Sequence, residues 1–174
     1  MNPYRLIVAD DHAMFRRGLR RILEKDPEIQ IVEETGDGLE LLSLLKHVTA
    51  DLVILDISIP GMRGIEAIHE IRKGFSGVRI LVLTMHKERE FLHQALVAGA
   101  QGYLLKEDTD AALFSAIERI RQGKTYLSPN LAVGMDPEWI KTLQGDSPPS
   151  TQQELFTTRE KWIFVSIVSE ILNA

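Results

Sequence analysis

Five short apolar runs, each breaking off at a polar residue and each followed by a segment with helical spacing, constrain the fold of this chain. The runs are Arg5–Ala9, Ile29–Val32, Leu52–Leu55, Arg79–Leu83 and Gly102–Leu105. Between and after them apolar residues recur at three- and four-residue intervals: Met14, Leu19, Ile22 and Leu23; Leu39, Leu42 and Leu45; Ile65, Ile68 and Ile71; Phe91–Ala98; and Ala112, Leu113, Ala116, Ile117 and Ile120. Strands buried on both faces read as continuous apolar runs, because neither face keeps a polar alternation. Strand and helix in strict alternation imply right-handed βαβ crossovers. The predicted fold is therefore α/β, a doubly wound five-stranded parallel sheet over residues 1–128, with a short helical C-terminal extension.

In such a sheet the ligand site lies outside the carboxyl ends of the strands. The residues at those ends are Asp10 and Asp11 after the first run, Asp56 after the third, Thr84 after the fourth and Lys106 after the fifth. Taken singly, each has an ordinary explanation. An aspartate after a strand is usually a helix cap, Lys106 alone would be a solvated lysine, and Thr84 a common strand-end residue. Five such residues at matching ends are harder to explain so. Three carboxylates crowded together repel unless a cation offsets them. An all-oxygen donor set suits Mg²⁺. A carboxylate beside a divalent cation can attack phosphorus, a reaction that needs mainly positioning and charge neutralisation.

The motifs Ile7-Val-Ala-Asp-Asp-His12, Asp51-Leu-Val-Ile-Leu-Asp-Ile-Ser-Ile-Pro-Gly-Met62, Val82-Leu-Thr84 and Gly99-Ala-Gln-Gly-Tyr-Leu-Leu-Lys106 resemble, in order and spacing, the receiver domain of two-component response regulators. The first and last look most like the subclass with a LuxR-type helix-turn-helix output. The resemblance implies that Asp56 is the phosphoacceptor for a histidine kinase. It further implies that Asp10, Asp11, Asp56 and the backbone carbonyl of Ser58 hold Mg²⁺. Lys106 would pair with the acyl phosphate, Thr84 would bond the phosphoryl group, and Tyr103 would be the aromatic switch that follows Thr84 inward. Such a protein is a self-acting phosphoacceptor and not a turnover enzyme. A homodimer through the first and last receiver helices, a cytoplasmic location and a role in transcription regulation are further implications.

Three other readings compete. A Mg²⁺-dependent phosphatase of the haloacid dehalogenase type also uses an aspartate nucleophile, but it needs a second aspartate two residues on, where Ser58 stands. An interaction module without phosphorylation would not need the full set of site residues. The third is a complete DNA-binding transcription regulator of which this chain is a truncated piece, and it predicts basic recognition-helix residues in the complete gene.

Composition matters most for that last reading. Residues 1–128 hold 17 Lys and Arg against 19 Asp and Glu, and residues 129–174 hold 3 against 6. Neither part carries the basic excess of a nucleic-acid-binding domain. Gly145-Asp-Ser-Pro-Pro-Ser-Thr151 places a linker within 129–152. Phe156-Thr-Thr-Arg-Glu160 resembles the start of a LuxR-type output domain, with Ile163, Phe164, Ile167, Val168, Ile171 and Leu172 as a helical stripe. Residues 153–174 are thus expected to be the first helix of a truncated output domain, and specific DNA binding by this chain is not expected. The chain has no cysteine, which excludes disulfides and thiolate sites. It has no apolar run of membrane-spanning length.

Overall fold

The computed structural model of the protein describes residues 2–132. Six strands and six helices follow in order: β1 (Tyr4–Ala9), α1 (Ala13–Leu23), β2 (Ile29–Thr35), α2 (Gly38–Leu45), β3 (Leu52–Leu55), α3 (Gly64–Gly74), β4 (Arg79–Thr84), α4 (Arg89–Ala98), β5 (Gly102–Leu105), α5 (Thr109–Arg121), β6 (Tyr126–Leu127) and α6 (Pro129–Ala132). All strand pairs are parallel, in the order β2-β1-β3-β4-β5-β6. The order reverses direction at β1 and β3, the point where a doubly wound sheet opens a crevice.

The expected parallel α/β sheet is present, with one strand more than the five expected. The sixth, β6, is two residues long and pairs with β5 through Gly102–Tyr126 and Tyr103–Leu127. Two apolar residues between Gly123 and Pro129 carry no readable period, so only pairing reveals them as a strand. β2 is also longer than Ile29–Val32, running on through Glu33 and Glu34. It is an edge strand and tolerates charge there: Glu34 Oε1 accepts from Arg20 Nε on α1 at 2.6 Å. The linker expected over 129–152 lies outside the described residues from 133 on, and so does the output helix expected over 153–174. Among the described residues no helix is long and apolar enough to cross a membrane.

Alternation within each strand divides the core into two layers. Ile7, Val53, Leu55, Ile80, Val82 and Tyr103 pack with Leu41, Ile68 and Leu92 from α2, α3 and α4. Leu6, Val8, Ile54, Leu81, Leu83 and Leu104 pack with Leu19, Leu23, Leu113 and Ile117 from α1 and α5. The central strands β3 and β5 are therefore buried along their whole length, because both faces are covered.

Two local features set the loops at the carboxyl edge. Asp37 caps α2, accepting from the amides of Leu39 at 2.8 Å and Glu40 at 3.0 Å. Gly64 opens α3 directly against the loop that leaves β3. A Cβ there would lie 2.4 Å from Ile57 Cα, so only glycine lets the helix approach the residue after Asp56 so closely.

Candidate functional site

β1, β3, β4 and β5 end side by side, and their exit residues converge as the parallel order requires. Asp10, Asp56 and Thr84 are almost wholly buried, while Asp11 is exposed. The ligand atoms of Asp10, Asp11, His12 and Asp56 all lie within 4.8 Å of one another. Into this acidic cluster β5 delivers Lys106, whose Nζ stands 2.6 Å from Asp10 Oδ2 and 2.6 Å from Asp56 Oδ2. The Lys106 side chain is itself only 7% exposed, and its ammonium lies 4.7 Å from the centre of the Phe15 ring.

A buried ion triad is stable only when its partners are arranged to repay desolvation. Here burial works to lower the Lys106 pKa, and the hydrogen bonds and charges of Asp10 and Asp56 outweigh it, leaving the group raised above its ordinary value. Asp56 Oδ1 also accepts from the Ser58 amide at 3.0 Å. Asp10 Oδ1 accepts from the His12 amide at 2.8 Å. Asp10 Oδ2 is different: it is buried without an aligned hydrogen bond, and the Lys106 charge is what balances it. Carboxylate oxygens of three aspartates within 4.8 Å of one another form a donor set that suits a hard cation. The cluster of Asp10, Asp11 and Asp56 is of the kind that binds Mg²⁺.

Thr84 and Tyr103 meet at one residue. Thr84 Oγ1 accepts from the His86 amide at 3.2 Å. The Tyr103 hydroxyl donates to the His86 carbonyl at 3.0 Å. Tyr103 is fully buried. Burial raises its pKa first, with the Glu88 and Asp56 charges adding to it, so it stays a neutral donor.

The structure brings together Asp10, Asp11, Asp56 and Lys106, with Ser58 and Thr84 beside them. At Ser58 the contact with Asp56 is made by the amide; the side chain turns away, its Oγ 3.0 Å from His86 Nε2. Sequence reasoning passed over several neighbours. His12 Nδ1 lies 2.8 Å from Asp11 Oδ1, Arg16 donates to the Asp10 carbonyl, and His86 links Ser58, Thr84 and Tyr103. His12 was visible in the Asp-Asp-His motif, but nothing in the spacing of Arg16 or His86 marks them out.

Residues 6–118 match the response regulator receiver domain family. The chain is 31% identical over 151 residues to the transcriptional regulatory protein DegU of Brevibacillus brevis, covering 87% of this chain and 64% of that protein. It therefore spans less than two thirds of that relative. A two-component response regulator of the LuxR family from Aurantimonas sp. SI85-9A1 superposes with a TM-score of 0.74 at 37% identity, over 80% of this chain and 99% of that one. The isolated receiver domain of RcsB from Salmonella enterica serovar Typhimurium, solved with phosphomimetic BeF₃⁻, gives 0.73 at 29% identity, over 78% and 100%. The family match runs from within β1 into α5 and takes in the edge where Asp10, Asp56, Thr84 and Lys106 converge, and this chain belongs to the response regulator receiver family of two-component systems.

Proposed function

We propose that this receiver is a phosphorylation switch in which Asp56 takes a phosphoryl group from a histidine kinase. The observation that carries the reading is the buried ammonium of Lys106, 2.6 Å from both Asp56 and Asp10. In the transfer, an Asp56 carboxylate oxygen bonds to phosphorus as the phosphorus–nitrogen bond to the donor histidine breaks. Lys106 remains beside the new acyl phosphate and neutralises its charge. The Ser58 amide, already donating to Asp56, keeps the carboxyl group oriented.

Asp10, Asp11, Asp56 and the Ser58 carbonyl would hold Mg²⁺. When bound, this ion supplies charge neutralisation on the phosphoryl oxygens.

Phosphorylation brings about −1.5 to −2 charges and strong acceptor oxygens to a buried edge. The Thr84 hydroxyl donates to one of those oxygens. Because Thr84 and Tyr103 both bond the backbone of His86, a shift of the Thr84 hydroxyl is felt at Tyr103 and at the start of α4. The consequence is a change of association, with a second copy through α1 and α5, and of the output segment that follows the receiver. The domain division at residue 128, the linker over 129–152 and an output segment over 153–174 that does not bind DNA specifically belong to the same proposal. So does a cytoplasmic location.

The 174-residue protein incubated with acetyl phosphate and Mg²⁺ is expected to gain the mass of one phosphoryl group, and to gain none when EDTA replaces the metal. Equal incorporation with EDTA would remove the metal-assisted transfer from the account.

A further inference from the structure

The residues that follow β5 contain a second side-chain network, which none of the roles above uses. Lys106–Asp108 form one turn of 3-10 helix before α5 begins at Thr109. Asp108 sits at the N-cap of α5, where an aspartate ordinarily accepts from helix amides. Here its side chain makes no capping bond. It reaches across to the chain's exit from the sheet: one carboxylate oxygen accepts from the Ser128 hydroxyl, and the other accepts from Asn130 Nδ2 at 2.7 Å.

Ser128 is fully buried. Its Oγ also accepts from the Leu105 amide at 3.3 Å, and its own amide donates to the Tyr103 carbonyl at 2.9 Å. A single serine therefore holds the residue before Lys106 and, through Asp108, the residue two beyond it. The turn is closed from the other side by Thr109, whose hydroxyl donates to the Lys106 carbonyl at 2.8 Å. Just past Ser128, Leu131 is buried in the core layer that contains Tyr103 and Leu105. A helix that forgoes its own cap leaves its first amides without that acceptor, so the carboxylate serves the exit segment at a local cost.

We propose that Asp108 is a positioning residue that, through Ser128, ties the Lys106 turn to the segment leaving the sheet, so that occupancy at Asp56 is transmitted to residues 124–132. The coupling is reciprocal, since any linkage of two sites acts equally in both directions. It follows that loosening the exit segment weakens the hold on a phosphoryl mimic. The inference rests on the reading of Asp56 as the phosphoacceptor.

The test uses beryllofluoride with Mg²⁺ on the 174-residue protein, following amide hydrogen exchange of residues 124–132 and, separately, binding of the mimic by ¹⁹F NMR. In the parent, the mimic is expected to change exchange in 124–132. Asp108→Ala and Ser128→Ala are expected to bind the mimic about fivefold more weakly or worse, the lower end of the usual coupling between two sites, and to lose the exchange response. Asp108→Asn retains an acceptor for the Ser128 hydroxyl and is expected to restore both. The exposed Asn130→Ala variant, which keeps the buried serine, is expected to give an intermediate loss and covers the case in which the alanine variants do not fold. A parent that binds the mimic with no change in 124–132, or an Asp108→Ala protein that responds as the parent does, would overturn the inference alone. A parent that does not bind the mimic would overturn the reading of Asp56 with it.

Discussion

Asp56→Asn is expected to take up no phosphoryl group from acetyl phosphate, with incorporation lower by roughly a thousandfold or more, as for other losses of an essential nucleophile. The substitution preserves shape and still offers an oxygen to the Ser58 amide, now at 3.0 Å from Asp56 Oδ1. It removes the anionic oxygen that would attack phosphorus. It also replaces the acceptor 2.6 Å from Lys106 Nζ by an amide nitrogen, or else turns that nitrogen onto the Ser58 amide, so one favourable contact is lost either way. The fold should survive, because the residue is surrounded by strands that do not depend on its charge. Intact-mass spectra of parent and variant, taken with their thermal melts, separate loss of chemistry from loss of structure. Uptake by the variant at the parent's rate would place the acceptor elsewhere.

Lys106→Met has the second largest expected effect, and it acts on stability as well as on signalling. Methionine fills a comparable volume but leaves Asp10 and Asp56, each with a side chain 3% exposed, facing one another without the ammonium. Removing one partner of a buried ion cluster costs about 3–5 kcal/mol, a large part of the roughly 5–15 kcal/mol that holds a domain folded. In EDTA the variant should therefore melt well below the parent. Mg²⁺ should narrow the gap, because carboxylates freed of the competing ammonium bind the cation more tightly, and the variant then gains more stability from it than the parent does. The pH behaviour follows from the raised Lys106 pKa. A group with a raised folded pKa contributes stability that is fully present below its unfolded value of 10.5 and is lost as pH rises through the folded one. The difference between parent and variant should thus be flat in its lysine contribution from pH 6 to 9. It should shrink only in strong alkali. Chemical denaturation at several pH values, with and without Mg²⁺, measures both effects.

The sheet and the polar residues at its strand ends were legible because both follow from local pattern. A strand covered on two faces has no polar alternation, so Leu52–Leu55 and Arg79–Leu83 stand out, and a parallel sheet sends their exit residues to one edge. What stayed illegible lacks a local period. β2 continues through Glu33 and Glu34 because Arg16 and Arg20 on α1 neutralise Glu34, a contact between segments that no window along the chain contains. β6 is too short to show a period. His86 reaches Ser58 and Tyr103 across 28 and 17 residues, and Asp108 reaches Ser128 across 20, so these links fall within no short window along the chain. Asp108 would pass for an ordinary helix cap from sequence. The structure shows its carboxylate turned to another use.

As the phosphoacceptor, Asp56 carries its phosphoryl group as an acyl phosphate on the side-chain carboxylate. Borohydride reduces an acyl phosphate to the alcohol, converting a phosphorylated aspartate to homoserine. Treating the acetyl phosphate product with borohydride and sequencing its peptides by mass spectrometry should therefore find homoserine at position 56, and only in samples that contained Mg²⁺. Homoserine at another position, or an unreduced Asp56 in protein that carries the phosphoryl mass, would contradict this assignment.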